Sequence, residues 1–400
     1  MLKLEDFKAA KKRVDEVILP THLIHSDAFS EECGNDVYIK PENLQKTGAF
    51  KIRGAYNKIM KLDDEAKKKG LIASSAGNHA QGVAYAAKKL GVKATICMPA
   101  HTPLIKVDAT KAHGADVVLY GEAYDEAYEK AVELQKSEGY TFVHPFDDED
   151  VMEGQGTIAL EIMEELPDVD YILVPIGGGG LISGIACAAK QINPSVKIVG
   201  VEPEGAASAL AAVEDDQLVK LSEVSTIADG TAVKQIGETP FEYIKKYVDE
   251  IVTVSEDEIA SAILKLMEAQ KTVAEGAGAV PVAAVMFGKV KTEGKKTVCV
   301  VSGGNVDVTT LSRIITKGLS KSGRMCEITT KVLDKPGQLI NLLDIVSKTG
   351  ANIIRVNHSR EAKLSDVTHC VVTMALETRN PEHVEEIRKA LVAGGYEIIE

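Results

Sequence analysis

The chain has no tryptophan, and its aromatic share is only 4%. That scarcity argues against rows of stacking rings for single-stranded nucleic acid. Basic residues are outnumbered as well. With 46 Lys+Arg against 59 Asp+Glu, the formal net charge is −13, the wrong sign for a broad phosphate-backbone footprint. No apolar run approaches the roughly 18–20 residues of a membrane span. The N-terminus, MLKLEDFKAAKKRVDEV, lacks the apolar centre of a signal peptide and reads as an amphipathic helix. The cysteines, Cys33, Cys97, Cys187, Cys299, Cys326 and Cys370, are scattered, with no C-x-x-C pair. They suit reduced, mostly buried thiols rather than a disulfide framework. Neither nucleic acid nor membrane is expected as a partner, and a cytoplasmic location is the default.

What remains is an ordinary globular composition. The 400 residues are 45% hydrophobic and 26% charged, enough for a sizeable core and about two to four domains. From residue 37 to 302, short apolar runs alternate with helical stretches. The runs are LIAS at 71–74, ATICM at 94–98, DVVLY at 116–120, YILVPI at 171–176, VKIVGV at 196–201 and TVCVVS at 297–302. They are rich in β-branched residues and lack polar alternation, as expected of strands buried on both faces. Several helical stretches end at glycine, at Gly91, Gly114 and Gly139. This rhythm predicts a mostly parallel α/β architecture.

The rhythm changes at KGLSKSGRMC, residues 317–326, which reads as a connector. Beyond it the pattern is strand, helix, strand, strand, helix, strand, the split βαβ order of an α+β ferredoxin-like domain. This tail carries 9 Lys/Arg and 11 Asp/Glu, so it is not a charged arm.

Three small-residue clusters follow apolar runs. IGGGGLISG, residues 176–184, places four glycines between a strand and an Ala-rich helix. Converging backbone N–H groups and a helix N-terminus there suit a phosphate. The plain alternative is a tight turn, but four glycines exceed what a turn needs. The cluster fits neither G-x-G-x-x-G nor a P-loop, so a small phosphorylated cofactor is favoured over a nucleotide. ASSAGNHAQG, residues 73–82, suits a carboxylate or the polar edge of a ring, with helix capping by Ser75 or Asn78 as the plain alternative. VVSGGN, residues 300–305, would project Ser302 at the carboxyl end of a strand, where open α/β sheets bind ligands; a Ser-Gly turn is equally open. Lys51, in LQKTGAFKIRGA, reads alone as a solvated charge. Near a phosphate site, its amine is a candidate for Schiff-base chemistry. The acidic run Asp147-Asp148-Glu149-Asp150 reads as charge before a helix start, and no metal site is assigned. His22 and His25 read as local packing or surface residues.

Taken in order, KTGAFKIRGA, SSAGNHAQG, PIGGGG, TIADGTAV at 226–233 and SGGNVD at 302–307 resemble pyridoxal-phosphate enzymes of the β-elimination type, specifically the threonine dehydratases (threonine ammonia-lyases). The resemblance covers about three quarters of the chain and implies the two-lobed fold type II, similar to the tryptophan synthase β chain. The large lobe would be residues 1–45 and 146–316 and the small lobe 46–145. A linker would follow at 317–325. The tail, 326–400, resembles an ACT regulatory domain, with DKPGQL at 334–339 at its first strand–helix turn.

The resemblance implies that Lys51 holds pyridoxal 5'-phosphate covalently and then removes the substrate's α-proton. Phe50 would pack near the ring. Gly177, Gly178, Gly179, Gly180 and the Leu181 amide would bind the phosphate. Asn78 would meet the ring hydroxyl and Ser302 the pyridine nitrogen. Ser75, Ala76, Gly77, Asn78 and His79 would surround the substrate carboxylate. The implied reaction is deamination of L-threonine, and of L-serine, to 2-oxobutyrate or pyruvate and ammonia. An amino-acid effector such as isoleucine or valine would bind near Asp334, Gly337, Gln338 and Leu339, with Asn352 opposite. A homodimer or homotetramer is implied.

Two alternatives stay open. One is a serine racemase or a 3-hydroxyaspartate dehydratase-like enzyme. Racemases similar to this chain carry a serine where it has Ala76, which cannot transfer a proton. Their divalent-metal site would map to Glu202, the Ala206 carbonyl and Ser208, and a carboxylate is expected where Ser208 stands. The other alternative, from a different class, is an amino-acid-sensing binding protein with an inactive lyase site.

Overall fold

The structure is a computed structural model that describes residues 1–361 and 367–399. It divides into two compact units, Met1–Val306 and Asp307–Glu400.

The first unit contains two sheets. Strands β1 (Ile24–His25) and β2 (Asp36–Pro41) open the larger one. The chain then leaves to build the smaller sheet from β3 (Leu71–Ser74), β4 (Ala94–Met98), β5 (Asp116–Leu119) and β6 (Thr141–Phe142). It returns with β7 (Tyr171–Pro175), β8 (Lys197–Pro203), β9 (Glu250–Val254) and β10 (Lys296–Val301). The larger sheet has the order β1-β2-β10-β7-β8-β9 and the smaller β5-β4-β3-β6. Only the β1–β2 pair is antiparallel; the other pairings of the unit are parallel. Parallel pairing needs long crossovers, and the helices between strands supply them.

β3, β7, β8 and β10 are buried along nearly their whole length, as their unbroken apolar runs predict. DVVLY is the exception. β5 is the edge of the smaller sheet, and Leu119 and Tyr120 are exposed. A β-branched run looks the same at an edge as in the middle, because position in the sheet is decided by partners far away in the chain. The N-terminal stretch forms the helix Leu4–Val14, which buries Phe7, Ala10 and Val14. Gly91 and Gly139 terminate their helices in the left-handed conformation, at φ 66° and 74°.

The second unit starts with the helix Val308–Lys321, so the connector expected from residue 317 is, to residue 321, the end of a helix. Gly318 and Ser320 lower helix propensity without breaking the helix, and the turn at Gly323 (φ 66°) follows it. Next come β11 (Met325–Leu333), the helix Gln338–Lys348, β12 (Asn352–Ser359), β13 (His369–Glu377), the helix Pro381–Ala393 and β14 (Glu397–Ile398). The sheet order is β12-β13-β11-β14, and its pairings are antiparallel. Ile328, Val332, Cys370, Val372, Met374 and Leu376 alternate along β11 and β13 onto one face. They pack there against Leu342, Val346, Ile387 and Leu391 of the two helices.

Candidate active site

The carboxyl ends of β3, β7 and β10 carry the three clusters singled out in the sequence. After β10, Ser302 is buried, and its carbonyl accepts from Phe50 N at 3.1 Å. Ala49 bridges to Gly303, so the lysine segment lies directly against the SGGN turn. Thr47 just before it has φ 62°, a left-handed backbone unusual for a β-branched residue. Lys51 is the first residue of the helix Lys51–Lys61, and its Nζ donates to Pro145 O at 2.7 Å. Burial pulls the amine down to about 8, against the opposing pull of Glu275. An ordinary surface lysine titrates near 10.5. The side chain is thus a desolvated amine with a neighbouring carboxyl group, not a solvated charge.

After β3, the helix Asn78–Leu90 begins at Gly77 with no side-chain cap. Capping is therefore not what Asn78 does. Its Nδ2 donates to Glu275 Oε1 at 2.6 Å, and its Oδ1 accepts from Asn305 Nδ2 at 2.6 Å. These two partners fix the orientation of the amide and leave one Asn78 N–H for a ligand. A Cβ added at Gly77 would meet nothing within 4 Å, so the backbone there borders open space. His79 is buried, and its Nε2 donates to Val143 O at 2.8 Å. Burial holds its imidazole down at about 3, hence neutral. What His79 offers a ligand is its backbone amide at the start of the helix. Ser75 Oγ accepts from Gly77 N at 3.2 Å, shaping the same turn.

After β7, the glycine loop leads into the helix Gly180–Ile192. Gly178, Gly179 and Gly180 leave no room for a side chain. A Cβ at Gly178 would lie 2.2 Å from the Phe146 ring, and one at Gly180 would lie 2.6 Å from Phe146 O. Gly179 has φ 91° and Pro240 within 2.8 Å of its Cβ position. At Gly177 the Thr231 backbone approaches to 3.0 Å. The side-chain faces of the loop are thus filled by protein. The amides at the helix start have no intrahelical partner and suit an anion. Phe146 directly follows Pro145, the acceptor of the Lys51 amine, so the loop and the lysine share one wall.

Glu275 is a site residue that the sequence reading missed. It is the residue before the helix Gly276–Met286, and its amide donates to Gly303 O at 3.0 Å. Burial pushes its carboxyl up to about 7, opposed by the hydrogen bond from Asn78. The sequence signal was slight: one acid before Gly-Ala-Gly. Asn305 lay inside a recognised segment but had been given no role.

The remaining candidates lie elsewhere. Asp148 caps the helix Glu149–Glu165 and pairs with Lys58, while Asp150 pairs with Lys58 and Lys61. Asp147 accepts from the amides of Glu238 and Thr239, and Glu149 meets the Met1 amine and the Tyr243 hydroxyl, so each acid of the run has a structural partner. His22 contacts Glu165, and His25 contacts Asp27 and Asp36, all at the surface. Glu202 accepts from the amides of Ala209 and Leu210 at 2.9 and 2.8 Å, and burial raises it to about 7. Among the effector candidates, Asp334 follows β11, Gly337 (φ 88°) precedes the helix Gln338–Lys348, and Gln338 and Leu339 open that helix. Gln338 also lines a cavity of about 540 Å³ with Lys331, Asn341, His369 and Tyr396. Asn352 pairs with Glu377, as Met325 does, whereas Leu333 pairs with His369. It therefore stands at the other end of the sheet from the Asp334 turn.

Residues 14–304 match the family described as pyridoxal-phosphate dependent enzyme. The chain belongs to that family. The match spans Lys51, Glu275, the first two clusters and the third up to Gly304. Among individual proteins, the chain is 52% identical to the L-threonine ammonia-lyase of Thermotoga maritima, covering 100% of this chain and 99% of that one. It is 44% identical to the catabolic L-threonine dehydratase TdcB of Escherichia coli K12, over 78% of this chain and 95% of that protein. Among solved structures, processed threonine deaminase isoform 2 of Solanum lycopersicum aligns with TM-score 0.75 at 42% identity, covering 78% of this chain and 86% of that one. Serine racemase of Dictyostelium discoideum aligns with TM-score 0.73 at 36% identity, over 77% and 99%. As a member of the family, the chain depends on pyridoxal phosphate. Its residues fit that cofactor: a desolvated lysine amine, a glycine loop with ligand-free amides, and an oriented Asn78 N–H beside open space.

Proposed function

We infer that the chain is a threonine ammonia-lyase that deaminates L-threonine, and L-serine, by β-elimination. The observation that carries this is the partly buried Lys51 amine, held well below an ordinary lysine, near Glu275 of the Asn78–Glu275 pair, in a chain similar along its whole length to L-threonine ammonia-lyases. Lys51 would hold pyridoxal phosphate covalently. The amides from Gly177 to Leu181 would hold its phosphate, Asn78 its ring hydroxyl and Ser302 its ring nitrogen, with Phe50 against the ring. When bound, the cofactor supplies an electron sink for negative charge at the substrate's Cα.

The protein's own groups do the rest. The amides of the turn from Ser75 to His79 orient the substrate carboxylate at a helix N-terminus, where anions are favoured. Once the substrate amine takes its place on the cofactor, the freed Lys51 Nζ, depressed towards neutral pH, would take the α-proton as general base. In net balance the α-proton and the β-hydroxyl leave as water, and the released enamine becomes an imine that hydrolyses to 2-oxobutyrate and ammonia. Ser302 presents a hydroxyl too weakly acidic to protonate a ring nitrogen, which favours prompt elimination over transamination. Glu275 and Asn305 keep the Asn78 amide in register. Ala76 offers no proton to the opposite face of Cα, which favours the lyase over the racemase reading. Side-by-side assay of 2-oxo-acid release from L-threonine, L-serine and 3-hydroxyaspartate tests the assignment. Turnover of 3-hydroxyaspartate alone would replace it.

The second unit is proposed as an ACT-type regulatory domain that takes isoleucine or valine at the Asp334–Leu339 turn. Its β-α-β-β-α-β order supports this. A homodimer or homotetramer is the proposed assembly. The six free cysteines suit a reducing compartment such as the cytoplasm.

A further inference from the structure

Three side chains of the second unit converge at one end of its sheet. Asp334 follows β11, His358 is near the end of β12, and Cys370 is near the start of β13. Register explains the meeting. Val332 pairs with Cys370, and His358 pairs with Val372. Directly opposed residues of an antiparallel pair share a face, and so do residues two apart on a strand. Asp334, His358 and Cys370 therefore continue the face that carries Val332 and Val372. They are the polar rim of an apolar layer. Cys370 is 2% exposed, whereas Asp334 and His358 reach solvent. His358 Nε2 lies 2.9 Å from Cys370 Sγ, and one donor atom of each of the three residues lies within 4.8 Å of the others.

We propose that Asp334, His358 and Cys370 form a zinc-binding site in the second unit. A thiolate, an imidazole and a carboxylate are the ligand types that select Zn²⁺ over Mg²⁺ or Ca²⁺. Zinc at about 2.0–2.3 Å from each donor sets neighbouring donors about 3.3–3.6 Å apart. The His358–Cys370 contact must open by about 0.6 Å, within reach of a rotamer change at exposed His358. On binding, the Cys370 S–H bond gives way to an S–Zn bond, and its proton passes to solvent. No oxidant or reductant is involved. Solvent completes the coordination on the exposed side. Arg360 grips both oxygens of Asp334, at 2.7 and 2.9 Å, so one oxygen turns to the metal while the other keeps the arginine. The ion would tie the turn after β11 to the ends of β12 and β13, in a single link across three strands. The three residues lie on separate strands and match no metal-ligand spacing, so nothing in their local sequence marks them.

The test uses the full-length, cofactor-loaded protein, reduced, stripped with a chelator and dialysed against Zn²⁺. The wild type should retain one more equivalent of zinc than His358→Asn or Cys370→Ser. With Cd²⁺, the wild type should show an ultraviolet thiolate-to-metal charge-transfer band that Cys370→Ser lacks. His358 is exposed, so His358→Asn keeps the fold even if replacing buried Cys370 does not; circular dichroism checks each variant. Equal zinc content in wild type and His358→Asn would overturn the site, leaving only a thiol–imidazole hydrogen bond and an ion pair. So would a cadmium band that survives in a folded Cys370→Ser.

Discussion

Lys51 and Glu275 together set the protonation of the site, and each can be tested alone. Lys51→Ala should abolish turnover and covalent retention of the cofactor while leaving the secondary structure intact; absorbance of the bound cofactor and a 2-oxo-acid assay read both. Glu275→Gln keeps an acceptor for Asn78 but removes a titrating carboxyl group. Burial raises that group to about 7 in the folded chain, above the roughly 4.3 of an unfolded glutamate. The folded state therefore binds more protons between those values. Its contribution to stability is fully present at low pH and is lost as pH rises through about 7. In cofactor-free protein, the Tm of Glu275→Gln relative to wild type should thus increase from about pH 5 to pH 8. A constant difference would show that Glu275 does not titrate there. Asn78 and Ser302 stand out in the sequence because each sits in a small-residue cluster at a strand's end, whereas Lys51 stands out only beside a phosphate site and through the family resemblance. Glu275 was not, because its partner Asn78 lies 197 residues away and an acid before a helix is commonplace.

At the scale of elements, the glycine loop and the lysine helix meet the same stretch of chain, Pro145–Phe146. Gly178→Ala drives a methyl into the Phe146 ring, and overpacking of this kind costs about 1–3 kcal/mol. The helix start and its amides would shift, so the variant should hold pyridoxal phosphate about tenfold more weakly, measured by equilibrium dialysis. The lysine helix is anchored by Arg53, which is fully buried. Its guanidinium bonds Glu42 at 2.8 Å and Glu161 at 2.6 Å, and Glu161 also bonds Lys40 at 2.6 Å. Burial alone would depress the guanidinium, but Glu42 and Glu161 outweigh it and raise it instead. Removing one member of a buried charge network strands the others at a cost of about 3–5 kcal/mol. Arg53→Ala should lose that much stability in urea unfolding, and a loss below about 1 kcal/mol would contradict the network's role. The strands were legible from their β-branched runs. The edge position of β5 and the helical start of the presumed connector were not, because both depend on packing that local composition does not encode.

At the scale of the whole molecule, Met1–Val306 and Asp307–Glu400 are each compact, and the proposed catalytic and regulatory roles divide between them. Removing residues 307–400 should leave threonine turnover within a few-fold of the full chain and abolish any response to isoleucine or valine. The E. coli relative supports this: 95% of it aligns with only 78% of this chain. Retention of the response by the truncated protein would place the effector site in the first unit. The βαββαβ order of the second unit was legible from a change of rhythm in the sequence, but its start was not: the unit begins at Asp307, ahead of the connector expected at 317, because the helix Val308–Lys321 carries no break in composition before Gly318. Within one chain, strand direction puts Asn352 and the Asp334 turn at opposite ends of the sheet. The net charge of −13 raises one physical demand: an anionic protein must hold an anionic cofactor and substrate through local backbone amides. The deciding measurement is 2-oxobutyrate release from L-threonine by the purified protein, with Lys51→Ala alongside. The wild type should release stoichiometric 2-oxobutyrate and ammonia, and the variant none. Bound cofactor with no ammonia from threonine or serine, or full turnover by Lys51→Ala, would contradict the assignment.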